Sequence, residues 1–114
     1  MNLKVLEEKI TKSVLAYGKR HHIEFTPEFA AVKLMEEVGE FAQALLIHQK
    51  KCRESKFVPN KVSKRKLGYE LADIISIVLV NAKIHNIDIS KALDEKCIHR
   101  EIAKSWETKV LPKV

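Results

Sequence analysis

Five acidic residues fall into two short groups that could work together. Glu36, Glu37 and Glu40 lie in "LMEEVGEFAQALL", and Glu70 and Asp73 lie in "YELADIISIVL". A lone acidic pair on a helix is most simply a solvated face, since glutamate is a good helix former. Here both groups interrupt strongly apolar stretches. Glu37 and Glu40 stand three apart, as do Glu70 and Asp73, so each pair shares one helix face, one turn apart. Two oxygen-bearing side chains placed in this way can grip one cation. On a wheel with Glu37 at zero, the stripe of Leu34, Val38, Phe41 and Leu45 centres at roughly 70°, and Glu40 lies about 60° further out. With Glu70 at zero, Leu67, Leu71, Ile74 and Val78 also centre at roughly 70°, with Asp73 about 60° out. The two helices therefore carry matched acid pairs at the edges of their packing stripes. Packed antiparallel, they bring the pairs to one point.

Four converging carboxylates cannot all stay ionised in a half-buried site without a counter-ion. A hard divalent cation resolves the conflict, and oxygen-only ligands favour Mg²⁺ or Mn²⁺ over Zn²⁺. No histidine joins the pattern: His21 and His22 end the first helix, and His48, His85 and His99 stand alone. Glu36 is turned furthest from the packed stripe.

The elements that must position these acids are helical. Apolar residues recur at three and four, and strand-like alternation is missing. The first helix is predicted over Leu3 to His21, with the stripe Leu3, Leu6, Ile10, Val14 and Tyr17. "FTPEF" starts the second, with Thr26 as N-cap, Pro27 at the first helical position and Glu28 in the first turn. It should run to about Lys51. "RESKFVPNKVS" reads as a loop broken by Pro59 and Asn60. Ser63 caps the third helix, which continues to about His85, and a fourth runs from near Ser90 to near Glu107. The tail "LPKV" is expected to be loose. These are the parts of an all-α, four-helix bundle-like domain, a single one over residues 1–114. Ser76 and Asn81 alone are polar between Asp73 and Lys83, so the third helix is apolar nearly all round. That predicts a homo-oligomer, dimer or tetramer, completing its cover.

The net charge of +6 suits an anionic ligand. The basic runs, Lys50–Lys51 and "KVSKRK" from Lys61 to Lys66, read as solvated loop charge. Cys52 and Cys97 lie far apart and no secretory signal opens the chain, so a reduced, cytoplasmic protein is expected. The longest apolar run, Ile74 to Val80, is too short to cross a bilayer.

"EEVGE" followed by "ELAD" resembles the EExxE…ExxD signature of the MazG-like, all-α nucleoside triphosphate pyrophosphohydrolases, whose superfamily includes all-α dUTPases and dCTP pyrophosphatases. "TPEFAAVKLMEEVGEFAQAL" is similar to the family's first motif helix. "ELADIISIVLVNAKIHNIDISKAL" resembles its second helix and the turn that follows, and "EKCIHRE" the start of its last. The similarity covers about residues 25 to 107. It implies Mg²⁺-dependent cleavage of a nucleoside triphosphate between the α and β phosphates, in a role such as clearing non-standard nucleotides. It assigns Glu37, Glu40, Glu70 and Asp73 to the metal, with Mn²⁺ as a substitute. It gives Glu36 a part in orienting or deprotonating the attacking water, and Lys96 and Arg100 to the phosphates. Many family members have asparagine where Arg100 stands. Trp106 is a base-stacking or packing residue, and Asn81 touches the nucleoside or bonds across the oligomer.

Two rivals remain at this level. Phosphoribosyl-ATP pyrophosphohydrolases share the scaffold, although the "NID" turn and the long last helix favour the MazG-like branch. A non-catalytic module could bind nucleic acid through Lys61 to Lys66, but no aromatic residues interleave with that run.

Overall fold

A computed structural model describes residues 2–110, with side chains described as far as Thr108. The tail "LPKV", expected to be loose, lies outside the described residues. Five α-helices follow in order: α1 (Leu3–Arg20), α2 (Pro27–His48), α3 (Asn60–Ile84), α4 (Ile89–Leu93) and α5 (Arg100–Val110). A 3₁₀ turn, Glu54–Lys56, lies between α2 and α3, and a π turn, Asp94–Ile98, joins α4 to α5. Among the described residues there is no strand, so the all-α expectation holds. None of these helices is long and apolar enough to cross a membrane.

The helix starts follow the sequence signals. The Asn2 side chain accepts from the Val5 N–H, and Thr26 Oγ1 accepts from the Phe29 N–H at 3.1 Å, with Pro27 at the first turn. Each satisfies an N–H that has no partner within its own helix.

The helix ends are less ordinary. His22, Lys50 and Asn86 sit at φ of 56°, 57° and 54°. Beyond each, an N–H reaches back five residues: Ile23 to the Gly18 carbonyl, Lys51 to Leu46 and Ile87 to Ala82, all at 2.7–2.8 Å. This is the Schellman closure, which usually puts glycine in the left-handed position. Here three side chains occupy it. The glycine is needed one turn earlier instead. A Cβ on Gly18 would lie 2.7 Å from the Phe25 ring and 2.9 Å from the Ile23 carbonyl oxygen. The chain folds back onto the helix at that point.

Helices α2 and α3 form an antiparallel hairpin, the principal packing of the molecule, and α1 packs on α3. Two contacts tie the hairpin's register. At one end Asn81 Nδ2 donates to the Ala30 carbonyl at 3.0 Å, and also to that of Ile77. At the other, His48 Nδ1 meets Ser63 Oγ at 2.7 Å. The two acid pairs face each other between them. Asn81 is thus an internal tie of the hairpin through its amide nitrogen. Ser63 is not the expected cap, since α3 begins at Asn60. Its hydroxyl donates to the Asn60 carbonyl, so it accepts from His48, whose Nδ1 carries the proton.

Two further expectations change. The run Lys61–Lys66 belongs to the first turns of α3 and not to a loop. The expected last helix is split in two. His99 N–H closes a wide turn on the Asp94 carbonyl at 2.8 Å, and its ring lies 3.3 Å from the Asp94 carboxylate. No glycine or proline between Ile89 and Val110 announces that break.

The core is narrow. Ala30, Ala44, Ile77, Leu79, Val80 and Ala82 are its buried apolar residues. On α3, Leu71 and Ile75 stay exposed, as do Val32 and Met35 on α2. One chain does not cover α3 on every side.

Candidate metal centre

The acids sit at mid-length on the hairpin. Glu37 and Glu70 are buried, at 8% and 4% exposure, while Glu40 and Asp73 are open to solvent. Each of the four offers an oxygen that lies within 4.8 Å of the others'. The convergence expected from the wheel is therefore present. It arises because both helices bury the first acid of the pair on the packing shoulder and leave the second facing out.

The electrostatics are those of a cluster that could hold a cation. Burial, and then the charge of Glu40, push the Glu37 carboxyl above its usual range. Partial desolvation at the cluster, and then the charges of Glu70 and Glu40, do the same for Asp73, exposed though it is. Glu37 Oε2 and Glu70 Oε2 are both buried without a hydrogen-bond partner among the described residues. An orphaned buried carboxylate oxygen is costly and calls for a partner. The donor set is carboxylate oxygen only, which fits Mg²⁺ or Mn²⁺. No histidine takes part in this group.

Lysines hold the outer oxygens. Lys66 Nζ lies 2.8 Å from Glu70 Oε1. Lys33 Nζ lies 2.7 Å from Glu36 Oε1 and 3.7 Å from Glu37 Oε1. Hydrogen bonds to Glu36 and Glu70 respectively raise the pKa of Lys33 and Lys66. Each buried glutamate thus has a lysine four residues before it and a second acid three residues after it. Lys33, Glu37 and Glu40 match Lys66, Glu70 and Asp73 in spacing. That repeated spacing is visible in the sequence and marks two site residues, Lys33 and Lys66, that the motif reading passed over.

Beside the acids opens a cleft of about 450 Å³. Ala44, Ile47, Val58 and Val62 give it apolar walls, and Lys56, Lys66, Glu40 and Glu70 line its charged side. Gln43 and Ser63 also line it.

The remaining candidates lie elsewhere. Glu36 is outside the four-carboxylate group, with its side chain 54% exposed and paired to Lys33. Lys96 belongs to the π turn and pairs with Glu107 at 3.0 Å. With Arg100, Lys104 and Glu107 it lines a separate shallow groove. The helix expected to carry Lys96 and Arg100 on one face is broken between them, and within the chain the groove shares no residue with the acid cleft. Trp106 is exposed in another groove, with Glu101, Ile102 and Ser105.

The chain matches no curated protein and no solved structure. Residues 25–102 match the MazG nucleotide pyrophosphohydrolase domain. That span takes in all of α2, the hairpin loop, α3 and the π turn, and ends at the start of α5. With EEVGE and ELAD face to face on an all-helical hairpin, and more than half its length matched, the chain belongs to the MazG nucleotide pyrophosphohydrolase domain family.

Proposed function

We propose that the protein hydrolyses a nucleoside triphosphate between its α and β phosphates, in a Mg²⁺-dependent reaction for which Mn²⁺ can substitute. The observation that carries this is the meeting of four carboxylates within 4.8 Å, two of them with orphaned buried oxygens, at the side of an open cleft. Glu37, Glu40, Glu70 and Asp73 are the metal ligands. When bound, the ion supplies positive charge to phosphate oxygens as negative charge builds on them.

The chain's own residues supply the rest. Water attacks the α phosphorus, the bond to the α–β bridging oxygen breaks, and pyrophosphate leaves with that oxygen. Glu36 orients the water or takes its proton, and Lys33 holds that carboxylate in place. The apolar walls around Ala44, Ile47 and Val62 shelter the nucleoside, in a volume typical of small-molecule sites. Lys96 and Arg100 belong to this scheme only across a subunit boundary, with a second copy bringing its basic groove to the phosphates. The exposed Val32, Met35, Leu71 and Ile75 support a dimer or tetramer. Removal of unwanted nucleotides is the physiological role most consistent with this chemistry.

The direct experiment is a pyrophosphate-release screen over canonical, deoxy and damaged triphosphates with Mg²⁺ and with Mn²⁺. Phosphoribosyl-ATP belongs in the same panel. Metal-dependent release from a triphosphate is expected. Turnover of phosphoribosyl-ATP alone would move the protein to the rival enzyme, and no release from any substrate would defeat the proposal.

A further inference from the structure

Lys66 occupies a position with two possible partners. Its ammonium is the neighbour of Glu70 Oε1 at 2.8 Å, and Glu70 is buried. A buried carboxylate needs a counter-charge, and in the metal-free protein this lysine provides it. Yet the Lys66 side chain is itself 62% exposed. Its head sits on a flexible four-carbon stem and can leave at little cost. The same side chain lines the cleft that Glu40 and Glu70 border.

A divalent ion among the four carboxylates changes the balance. It satisfies Glu70 with twice the charge at closer range. It also repels an ammonium held on the same carboxylate. Lys33 differs: its shortest contact is to exposed Glu36, outside the group, so it keeps a partner when the ion binds. Among the described residues Lys66 pairs with Glu70 alone. Once released, it is a free cation on the wall of a cleft whose proposed occupant is polyanionic.

We propose that Lys66 is an exchangeable counter-ion: it neutralises Glu70 in the metal-free protein, gives way to the divalent cation, and then pairs with a phosphate of the substrate. Loading is thereby ordered. Without the ion, a triphosphate meets four carboxylates and an engaged lysine. With it, the same cleft offers a metal and a freed ammonium. The phosphate half of this proposal rests on the proposed function; the exchange on Glu70 does not.

Lys66→Met keeps the length and removes the charge, and circular dichroism checks that the variant folds. Two binding measurements decide the matter. The first is Mn²⁺ affinity without nucleotide, read by the electron paramagnetic resonance of free Mn²⁺. Removal of a competing cation should tighten it by roughly three- to tenfold at low salt, and Lys66→Arg should restore the wild-type value. The second is calorimetric binding of magnesium tripolyphosphate, which should weaken by about tenfold in Lys66→Met, the loss of one charge-assisted contact. Mn²⁺ affinity that is unchanged or weaker overturns the exchange. Tightened Mn²⁺ with unaltered tripolyphosphate binding overturns the transfer to phosphate. Neither readout needs turnover, so an inactive wild-type protein would defeat the hydrolase proposal and leave the Glu70 exchange to be judged on its own.

Discussion

Glu37 and Asp73 carry opposite obligations to stability and to function. Both have carboxyl pKa values raised in the folded protein, first by desolvation, of a buried group at Glu37 and only partial at Asp73, and then by neighbouring acids. A raised folded-state pKa means that the native form binds the proton more tightly than the unfolded chain. The associated stability is complete below the unfolded carboxylate pKa, about 4, and is lost as pH rises through the raised values. Through these two groups the metal-free protein should therefore be less stable at neutral pH than in mild acid. Glu37→Gln should raise the melting temperature at pH 7 in chelator, and the gain should shrink on acidification. A variant that melts at or below the wild type at pH 7 would contradict this account. The same substitution, or Asp73→Asn, should cut pyrophosphate release by roughly a hundredfold or more while helix content stays intact, as loss of a principal electrostatic stabiliser does. At this scale the sequence was informative about the four ligands, because their spacing is fixed by one helical period. It did not reveal the ion pair of Lys96 with Glu107, which spans a helix break that no residue type announces.

The helices show which local signals survive packing. Thr26 and Pro27 start α2 where the sequence places them, because a cap is a contact within four residues. The ends are closed by bonds nearly as local, and those expected fall within three residues of those observed, although none is marked by the usual glycine. His22 occupies a left-handed position that glycine adopts without steric cost. His22→Gly should accordingly raise stability by roughly 1 kcal/mol in urea titration, less the entropy that glycine adds to the unfolded chain. Gly18→Ala should do the reverse. Its Cβ would meet the Phe25 ring and the Ile23 carbonyl, an overpacking worth about 1–3 kcal/mol. Ser63→Ala should cost about 1 kcal/mol, because it leaves the His48 Nδ1–H without its acceptor at the hairpin end. The starting residue of α3 was misplaced for a different reason. Ser63 looks like a cap in one dimension and is a cross-helix tie in three.

Viewed whole, the chain is elongated. Its radius of gyration is 17.7 Å and its longest dimension 54 Å. A globular domain of this length has a radius of about 13 Å. Helix α5 packs chiefly on the π turn and leaves Ile98, Ile102 and Trp106 exposed. Together with the open faces of α2 and α3, this favours a second copy as cover. Light scattering should give a mass of at least two chains, and Met35→Glu combined with Ile75→Glu should lower it towards that of one. Retention of the oligomer in the double variant would place the contact elsewhere. The apolar character of α3 pointed to this from sequence, since the helix carries more hydrophobic surface than three neighbours can hide. The partner's placement was not legible, because a periodic stripe says that a face is buried and not by what.

The two halves of the four-carboxylate cluster are written in one short word, used twice. K-L-M-E-E-V-G-E and K-L-G-Y-E-L-A-D each place a lysine, a buried glutamate and an outward acid at the same offsets. Because the hairpin is antiparallel, the two copies meet with an approximate dyad between them. The centre is thus modular. Its geometry depends on helical period and on one antiparallel register, and not on any irregular loop. An unrelated helical hairpin with the same register is a host to which those eight-residue segments could be transplanted, carrying the carboxylates and their lysines together.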